Sequence, residues 1–356
     1  MKRSIVYAIW ACLWAAALAG CSSQPRGPIP EPLDVAVQTR PWQAGGIQGR
    51  RIDSQTYRIF TTSRSAALTN VLPGFLEAAW RNYHRLTGLH LDKPRQPQTV
   101  YLFATYDEWA AMTRHVLDGP QAEKVAGIQA GGFYQPAENG GACIFWNIGG
   151  IGALAVASHE GMHQFFDSQL DDQLPMWVEE GLCTVAEGYY TTRNGVVFTH
   201  TENRGRWLEM RNIIARNQWT DLQDLLTMDA GQALGPRPGQ ALGYYAQLWT
   251  LMQLIRSDPQ LARGLQRLLA DAQNGTLTDD LQIDQALLAK LPPRSRAYNR
   301  LVGLAAFRHY ISDDIESFQA RYRAYAAQRV EMGTSARAEI LPIPGRFDIA
   351  TRPAAP

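Results

Sequence analysis

Residues 158–163 have the sequence Ser-His-Glu-Gly-Met-His and lie within 151–170, where apolar residues recur at the spacing of an α-helix. His159 and His163 are four positions apart, so both imidazoles lie on one face of the predicted helix and can bind one metal ion. Glu160 lies about 100° around that helix, where its carboxylate can act as a base beside the ion instead of binding it. This stretch therefore predicts a metal site built on a helix.

A second stretch, 174–182, supplies a candidate third ligand. It has the sequence Leu-Pro-Met-Trp-Val-Glu-Glu-Gly-Leu and opens another predicted helix, 175–190, with Pro175 in its first turn. The sixteen residues that follow His163 are enough for the first helix to end and for the chain to return antiparallel. Three protein ligands, with one position left for water, are the arrangement of a catalytic zinc site.

The two stretches resemble the His-Glu-x-x-His and Trp-x-x-Glu-Gly segments of the gluzincin zinc metallopeptidases, the clan of thermolysin and aminopeptidase N. The resemblance is closest to secreted bacterial members of unknown function and covers roughly residues 55–269. It implies an α+β, zincin-like fold in which a small mixed sheet lobe is followed by a mainly helical lobe, with the metal site between them. It also implies one Zn²⁺ per chain, held by His159, His163 and Glu180, with Glu160 as the catalytic base.

The residues expected to orient the ligand histidines depart from the family pattern. Four residues after the third ligand, members of the clan usually carry Asp or Glu as a partner for a ligand histidine. Here that position is Thr184, whose hydroxyl accepts from an imidazole N–H less strongly, and Glu187, one turn further, can substitute for it. Glu179 is interpreted as a solvated residue at the helix start, favoured there by the helix dipole. Gly181 is expected to let the two metal-bearing helices approach each other closely.

A tyrosine is expected to assist the reaction. Residues 243–249, Gly-Tyr-Tyr-Ala-Gln-Leu-Trp, resemble the Tyr-containing segment of the aminopeptidase-like group, whose hydroxyl stabilises the oxyanion. The apolar positions that follow favour Tyr245 for this role, with Tyr244 as the alternative.

The segment before the metal helix predicts a β-hairpin, with strands at 132–134 and 142–146. In the clan that it resembles, an edge strand at this place binds peptide substrate by strand addition. The alternative is an ordinary core strand. The chain lacks the Gly-x-Met-Glu-Asn segment with which aminopeptidases hold a free amine, which weakens the case for exopeptidase activity.

The N-terminal residues predict export and a lipid anchor. Two basic residues precede an apolar run, 5–18, which is too short to span a bilayer and is typical of a signal peptide. The run leads into Leu-Ala-Gly-Cys, which resembles the bacterial lipobox and implies cleavage before Cys21 and its lipidation; an ordinary signal peptide is the alternative. Ser22 stands where an Asp would retain the protein in the inner membrane. By Gram-negative sorting rules, this favours the outer membrane, facing the periplasm.

Composition restricts the class of protein. The chain has 356 residues, of which 46% are apolar and 19% charged, and its formal net charge is +1. These values predict a sizeable core and no basic surface, so no nucleic acid is expected as a partner. Only Cys143 and Cys183 belong to the folded part, where they either form a disulfide or remain small buried residues.

Five segments are expected along the chain. They are a lipoprotein signal peptide, a flexible tether, an α/β sheet lobe, a helical lobe with the metal site and a C-terminal tail, at 1–21, 22–50, 51–150, 151–333 and 334–356. Other strands are predicted at 56–62, 99–103 and 196–199. Other helices are predicted at 66–86, 106–117, 206–216, 244–257, 261–272, 283–291 and 298–327.

These features predict a membrane-anchored zinc metallopeptidase that hydrolyses a peptide or protein substrate in the cell envelope. Two other functions are compatible with the same sequence: a zinc hydrolase of cell-wall amides, and an envelope lipoprotein that uses the fold only for binding or assembly. The complete ligand set together with Glu160 favours an enzyme, because a decayed site usually loses its base first.

Overall fold

The computed structural model describes residues 29–44, 46–90, 94, 96–117, 119–127, 131–137, 140–201, 203–229, 232, 240–292 and 294–335. The predicted signal peptide with Cys21, the first residues of the tether and most of the C-terminal tail lie outside the described residues. Within the described part of the chain, no helix is both long enough and apolar enough to cross a membrane.

A six-stranded mixed sheet occupies the first part of the chain. Its strands are β1 (Gln38–Ala44), β2 (Ile47–Asp53), β3 (Tyr57–Thr61), β4 (Gln98–Phe103), β5 (Gly132–Gln135) and β6 (Ala142–Trp146). Their order across the sheet is β1-β2-β3-β4-β6-β5, and the pairs β3–β4 and β4–β6 are parallel. A separate hairpin joins β7 (Tyr189–Thr192) to β8 (Gly195–Phe198). The strands predicted at 56–62, 99–103, 132–134, 142–146 and 196–199 are thus confirmed.

Helices form most of the remaining described chain, so the fold is mixed α+β and mainly helical. They are α1 (Ala66–Thr69), α2 (Leu72–Thr87), α3 (Tyr106–Val116), α4 (Gly119–Ala126), α5 (Gly150–Gln169), α6 (Met176–Ala186), α7 (Arg204–Arg216), α8 (Leu222–Thr227), α9 (Gln240–Ser257), α10 (Pro259–Gln273), α11 (Leu277–Asp280), α12 (Gln285–Leu288), α13 (Arg296–Tyr298), α14 (Leu304–Tyr310) and α15 (Ile315–Ser335). A π-helical segment, Asn299–Gly303, connects α13 to α14.

Helix α5 is anchored to the elements around it by buried hydrogen bonds. It packs against β5 and β6 of the sheet and against α2 and α6. Tyr83 of α2 donates its hydroxyl to Ser158 O at 2.8 Å, and Ser158 Oγ donates to Ala186 O at 2.7 Å, at the end of α6. On the sheet side, Gln164 Nε2 donates to Thr99 O at 3.1 Å. These bonds fix the position of the helix that carries both histidines.

The tether predicted at 22–50 is wrong for its C-terminal part, because β1 and the start of β2 lie in it. Pro41 sits within β1, which is the outermost strand of the sheet, and an edge strand tolerates a residue without an N–H donor. Pro and Gly content predicts a linker only from local sequence. The segment instead pairs with the strands that follow it, β1 with β2 and β2 with β3. Its Pro and Gly content does not indicate this pairing.

The residues before β1 are also docked on the fold. Glu31 and Val196 exchange two backbone hydrogen bonds, at 2.7 and 2.9 Å, which add one bridge to the edge of β8. The carboxylate of Glu31 forms ion pairs of 2.9 Å with Arg81 and 2.6 Å with Arg85, both on α2. The flexible part of the predicted tether therefore does not extend through residues 29–37.

Several predicted helices differ in extent from the observed ones. The helix predicted at 298–327 is divided into the end of α13, the π-helical segment, α14 and α15, because Asp314 Oδ1 accepts from Ser317 N and starts a new helix. The helix predicted at 175–190 ends at Ala186 and is followed by β7. Only the four residues of α12 are helical in the segment predicted at 283–291.

Candidate metal centre

The three predicted metal ligands meet between α5 and α6. His159 and His163 lie one turn apart on α5, with ring centroids 5.1 Å from each other. Glu180, on α6, places its Oε2 atom 3.2 Å from His159 Nε2 and 3.6 Å from His163 Nε2. The side chains of all three residues are almost completely shielded from solvent.

The second nitrogen of each imidazole is held by a carboxylate. Glu187 Oε1 lies 2.9 Å from His159 Nδ1, and Glu179 Oε1 lies 2.8 Å from His163 Nδ1. A carboxylate can only accept, so each Nδ1–H donates. Burial lowers the pKa of both imidazoles, but the neighbouring acidic groups outweigh it and raise the pKa of His159 to about 9 and that of His163 above its usual value. A metal that displaces the second proton of each imidazole binds the Nε2 lone pair. Both Nε2 atoms face the side where Glu180 lies.

Two predictions about these partners are wrong. Glu187 contacts His159, whereas the Thr184 hydroxyl donates to Gly181 O at 2.7 Å within its own helix and does not contact a histidine. Glu179 is not solvated but only 1% exposed. It is stabilised there by His163 and by Arg294, which is 115 residues away in the sequence.

Two arginines fix the two orienting carboxylates. Arg206 donates from Nε to Glu187 Oε2 at 3.0 Å and from Nη2 to Oε1 at 2.6 Å. Arg294 donates from Nε to Glu179 Oε2 at 3.1 Å and from Nη2 to Oε1 at 2.8 Å. Burial would raise the pKa of Glu187, but Arg206 and His159 outweigh it and lower the pKa to about 2. The pKa of Glu179 is likewise lowered, against burial, by Arg294 and His163.

Sequence reasoning missed both arginines, because neither belongs to a motif and each reaches its carboxylate only through the tertiary fold. One sequence signal was present. Four carboxylates crowd the two metal segments and their surroundings, and buried carboxylates require cations nearby. They belong to Glu160, Glu179, Glu180 and Glu187.

Glu160 lies beside the two histidines and remains available for proton transfer. It is 7% exposed, and its carboxylate accepts no hydrogen bond from the residues that the structure describes. Burial raises the pKa of Glu160, and the neighbouring imidazoles of His159 and His163 oppose that effect. A carboxylate with a raised pKa and no competing donor is suited to take up and release a proton.

Tyr245 is the tyrosine beside the histidines. Its ring lies 5.8 Å from the ring of His159 between centroids, and the guanidinium of Arg206 lies over it at 5.1 Å. Burial raises the pKa of Tyr245 well above its usual value, and Glu180 and Glu160 add to this effect. The hydroxyl therefore keeps its proton and can donate it in a hydrogen bond. Tyr244 instead lines a polar cleft that also includes Thr220, so its position favours Tyr245 for the role at the metal centre.

Gly181 lies where α6 packs against α9, the helix that carries Tyr245. A Cβ atom at Gly181 would lie 2.9 Å from Met252 Cε on α9, so the missing side chain allows α9 to pack closely on α6. The expected close approach at Gly181 is therefore present, but its partner is the tyrosine-bearing helix and not α5.

The three converging atoms fit a zinc ion. Ligand atoms that share a tetrahedral zinc at about 2.0–2.1 Å lie about 3.3 Å from each other, close to the separations of 3.2 and 3.6 Å measured here. Glu180 Oε2 is buried, yet it accepts no hydrogen bond from any residue in the described ranges, which is costly unless a cation satisfies it. With neutral imidazoles, the four carboxylates outnumber the two guanidinium groups by two charges, the charge of a divalent cation.

Cys183 is a second candidate for the third ligand. Its Sγ atom and one nitrogen of each histidine lie within 4.8 Å of one another. A thiol must lose its proton to bind a metal, and burial, opposed by His163, raises the pKa of Cys183 to about 12. Glu180 is the better candidate because its Oε2 atom lies 3.2 and 3.6 Å from the two Nε2 atoms, and because His163 and His159 lower its pKa against burial. Cys143 and Cys183 are both buried free thiols and do not pair.

The strand β5 forms the edge of the sheet nearest to α5. It pairs with β6 only, and no other described strand covers its outer side. Tyr134 on β5 donates its hydroxyl to Asp167 Oδ2 at 2.6 Å, which connects the strand to α5. The predicted hairpin thus provides an edge strand beside α5.

Comparisons with the models of known protein families, with curated proteins and with solved structures give no match to this chain.

Proposed function

We propose that this protein is a zinc-dependent peptidase of the gluzincin type, with a zincin-like arrangement of sheet, metal helix and helical lobe. One observation carries the proposal: two imidazoles, each oriented by a carboxylate, direct free Nε2 atoms toward the unsatisfied Oε2 of Glu180. Glu160 and Tyr245 lie beside this group, so a base and a hydrogen-bond donor accompany the three ligands.

His159, His163 and Glu180 would hold the zinc ion. When bound, zinc supplies Lewis-acid chemistry, in that it polarises a carbonyl group and lowers the pKa of water. Glu160 takes the proton of the attacking water on its carboxylate and later gives it to the leaving nitrogen. Tyr245 donates its hydroxyl proton in a hydrogen bond to the carbonyl oxygen as negative charge develops there.

The proposed substrate is a peptide segment in extended conformation. The free edge of β5 offers backbone N–H and C=O groups to such a segment, which would add as a further strand. This mode of binding uses the peptide backbone, so it suits proteins or peptides of varied sequence. Hydrolysis of cell-wall amides remains the competing chemistry at the same centre.

The proposed location is the periplasmic face of the outer membrane, through a lipid on Cys21. It rests on the apolar run 5–18 and the Leu-Ala-Gly-Cys sequence that follows it. A lipid anchor would keep the metal centre close to the membrane surface.

The test combines metal content and turnover on one preparation of the detergent-solubilised full-length protein. Zinc content is measured by mass spectrometry, and a mixed peptide library is incubated with the protein as purified, after chelation and after zinc is restored. We expect one zinc per chain and peptide cleavage that is lost on chelation and regained with zinc. A zinc-loaded protein that cleaves no peptide in the library would refute the peptidase function.

A further inference from the structure

We propose that Arg206 and Arg294 are positioning residues that act on the metal through a carboxylate and a histidine, one arginine for each ligand histidine. The inference rests on the metal centre of the proposed function. It adds that the affinity for zinc is set in part by two guanidinium groups, neither of which lies near enough in sequence to belong to a metal motif.

The first chain of contacts runs from Arg294 through Glu179 to His163. The guanidinium of Arg294 donates from Nε and Nη2 to the two oxygens of Glu179, at 3.1 and 2.8 Å. Glu179 Oε1 is also the atom that faces His163 Nδ1. Arg294 itself is held in a left-handed backbone conformation with φ of 57°. Asn299, which is fully buried, donates to Ser295 O at 3.0 Å and accepts from Met176 N at 3.0 Å. The loop that carries Arg294 is thereby bound to the first turn of α6.

The second chain of contacts runs from Arg206 through Glu187 to His159. The guanidinium of Arg206 donates to both oxygens of Glu187, at 3.0 and 2.6 Å. Glu187 Oε1 also faces His159 Nδ1. Asn203 contributes a third bond, from Nδ2 to Glu187 Oε2 at 2.7 Å, and its Oδ1 accepts from Arg206 N as the cap of α7. The start of α7 thus holds Glu187 at the end of α6.

The two chains of contacts have the same chemistry, although their residues come from different parts of the fold. Each carboxylate receives a bidentate guanidinium on one side and an imidazole N–H on the other, which fixes the plane of the carboxylate and therefore the rotation of the ring. Without the guanidinium, a buried carboxylate loses both its counter-ion and its orientation. The imidazole would then be less well directed toward Glu180, and zinc would bind less tightly.

A double-mutant cycle on the full-length protein tests this coupling. The variants are Arg294→Gln, Glu179→Gln and the double variant, with Arg206→Gln, Glu187→Gln and their double variant as the matching set. Arg321→Gln is the control, because Arg321 forms an ion pair of 2.6 Å with Asp258 in which its side chain is half exposed. Zinc affinity is measured by competition with a chelator of known affinity, and the melting temperature is measured with chelator present.

We expect each single arginine variant to bind zinc about tenfold more weakly, the lower end of the range for partners of metal ligands. We also expect each double variant to bind no more weakly than its Glu→Gln parent, since the arginine acts through that carboxylate. The control should keep wild-type affinity. If Arg294→Gln is too unstable to purify, Arg294→Lys replaces it, because Lys keeps the charge but not the fork.

Unchanged zinc affinity in the single arginine variants would overturn the inference, as would losses that simply add in the double variants. A drop in melting temperature without a drop in affinity would indicate a structural role only and would also overturn it. The outcome for the peptidase is separate. Zinc binding that follows the expected pattern without peptide turnover would leave the inference intact and refute the proposed function.

Discussion

At the scale of single residues, four glutamates in one small volume have different environments. Glu179 and Glu187 are each clamped by a guanidinium and an imidazole, and the pKa of each is lowered. Glu180 faces two Nε2 atoms, while Glu160 accepts no hydrogen bond from the described residues, and burial raises its pKa. The balance between burial and the neighbouring cations differs among the four carboxyl groups, so two of them can serve as supports, one as ligand and one as base.

Replacing Glu160 by Gln distinguishes a catalytic role of this residue from a structural one. The amide is nearly isosteric with the carboxylate and cannot take up a proton, so peptide hydrolysis should fall by about 10²–10⁴-fold. Zinc content and melting temperature should stay close to wild type, because Glu160 is not among the three ligands. Zinc content, melting temperature and turnover are measured on the same two preparations. Turnover equal to that of wild type would refute the assigned base.

The third ligand can be identified by comparing two substitutions on α6. Glu180→Gln removes the charged oxygen that lies 3.2 and 3.6 Å from the two Nε2 atoms, so stoichiometric zinc binding should be lost. Cys183→Ala removes the alternative ligand and should leave one zinc per chain. Zinc is quantified after dialysis against a weak chelator. The reverse pattern, with zinc retained in Glu180→Gln and lost in Cys183→Ala, would assign the site to the thiolate.

Local spacing predicted the two histidines, and the family resemblance predicted Glu180 on the next helix, but neither indicated the two arginines. The positions of His159 and His163 follow from the period of one helix, and both meet Glu180 as expected. Glu179 looked like an ordinary charged residue at a helix start because its cation, Arg294, lies beyond the reach of any local pattern. The family position at Thr184 was misleading for the same reason, since Glu187 occupies the space beside His159.

At the scale of elements, the contact between the N-terminal segment and α2 depends on Gly74. A Cβ atom there would lie 1.9 Å from Leu33 O, a backbone atom that cannot move alone. Gly74→Ala should therefore displace residues 29–37, lower the free energy of unfolding by about 1–3 kcal/mol and expose the segment to protease. Limited proteolysis with mass spectrometry of the fragments, together with urea unfolding, measures both effects.

Gly243→Ala is the matched control, because the nearest atom to a Cβ there is Ile213 Cδ1 at 3.7 Å, an ordinary contact. It should neither expose residues 29–37 to protease nor lower stability. Equal protease resistance of the Gly74→Ala variant and wild type would show that the segment is not held by this contact.

The elements that sequence predicted well are those with strong internal periodicity. Strands β3 and β4 and helices α3, α5 and α10 lie within a few residues of their predicted ranges. Among the elements that no predicted range covers, β1 and β2 are stabilised by pairing with their neighbouring strands and not by their own composition. The division of the last predicted helix depends on the cap at Asp314, a local signal that the apolar period obscured.

At the scale of the whole molecule, one partly buried histidine away from the metal centre should make stability depend on pH. Burial, together with the charges of Arg256 and Arg85, lowers the pKa of His200 from 6.5 to about 4. The unfolded chain then binds a proton more readily than the folded one, so this stabilisation is complete above pH 6.5 and is lost as pH falls toward 4. The loss is at most about 1.4 kcal/mol per pH unit.

Urea unfolding of wild type and of His200→Gln at several pH values between 7 and about 4.5 measures this contribution. The variant should lose less stability than wild type over that interval, because it has no proton to take up. Other groups that titrate in the same range affect both proteins alike. Parallel stability curves for the two proteins would contradict a lowered pKa at His200.

Attachment to the membrane is the second property of the whole molecule that can be tested. Cys21→Ala should release the protein from the membrane fraction or block its processing, because it removes the residue that the predicted lipobox places for lipidation. Membrane and soluble fractions are compared by immunoblot, with the size of the processed chain as a second readout. Normal processing with wild-type membrane attachment would disprove the lipid anchor.

The hydrogen bond from Met176 N to Asn299 Oδ1 joins the proposed metal centre to a distant part of the chain. A fragment that ends before residue 294 contains all three proposed ligands but neither Arg294 nor Asn299. In such a fragment the first turn of α6 lacks its cap, and Glu179 lacks its counter-ion. A chain truncated there therefore carries both metal motifs without the contacts that orient His163.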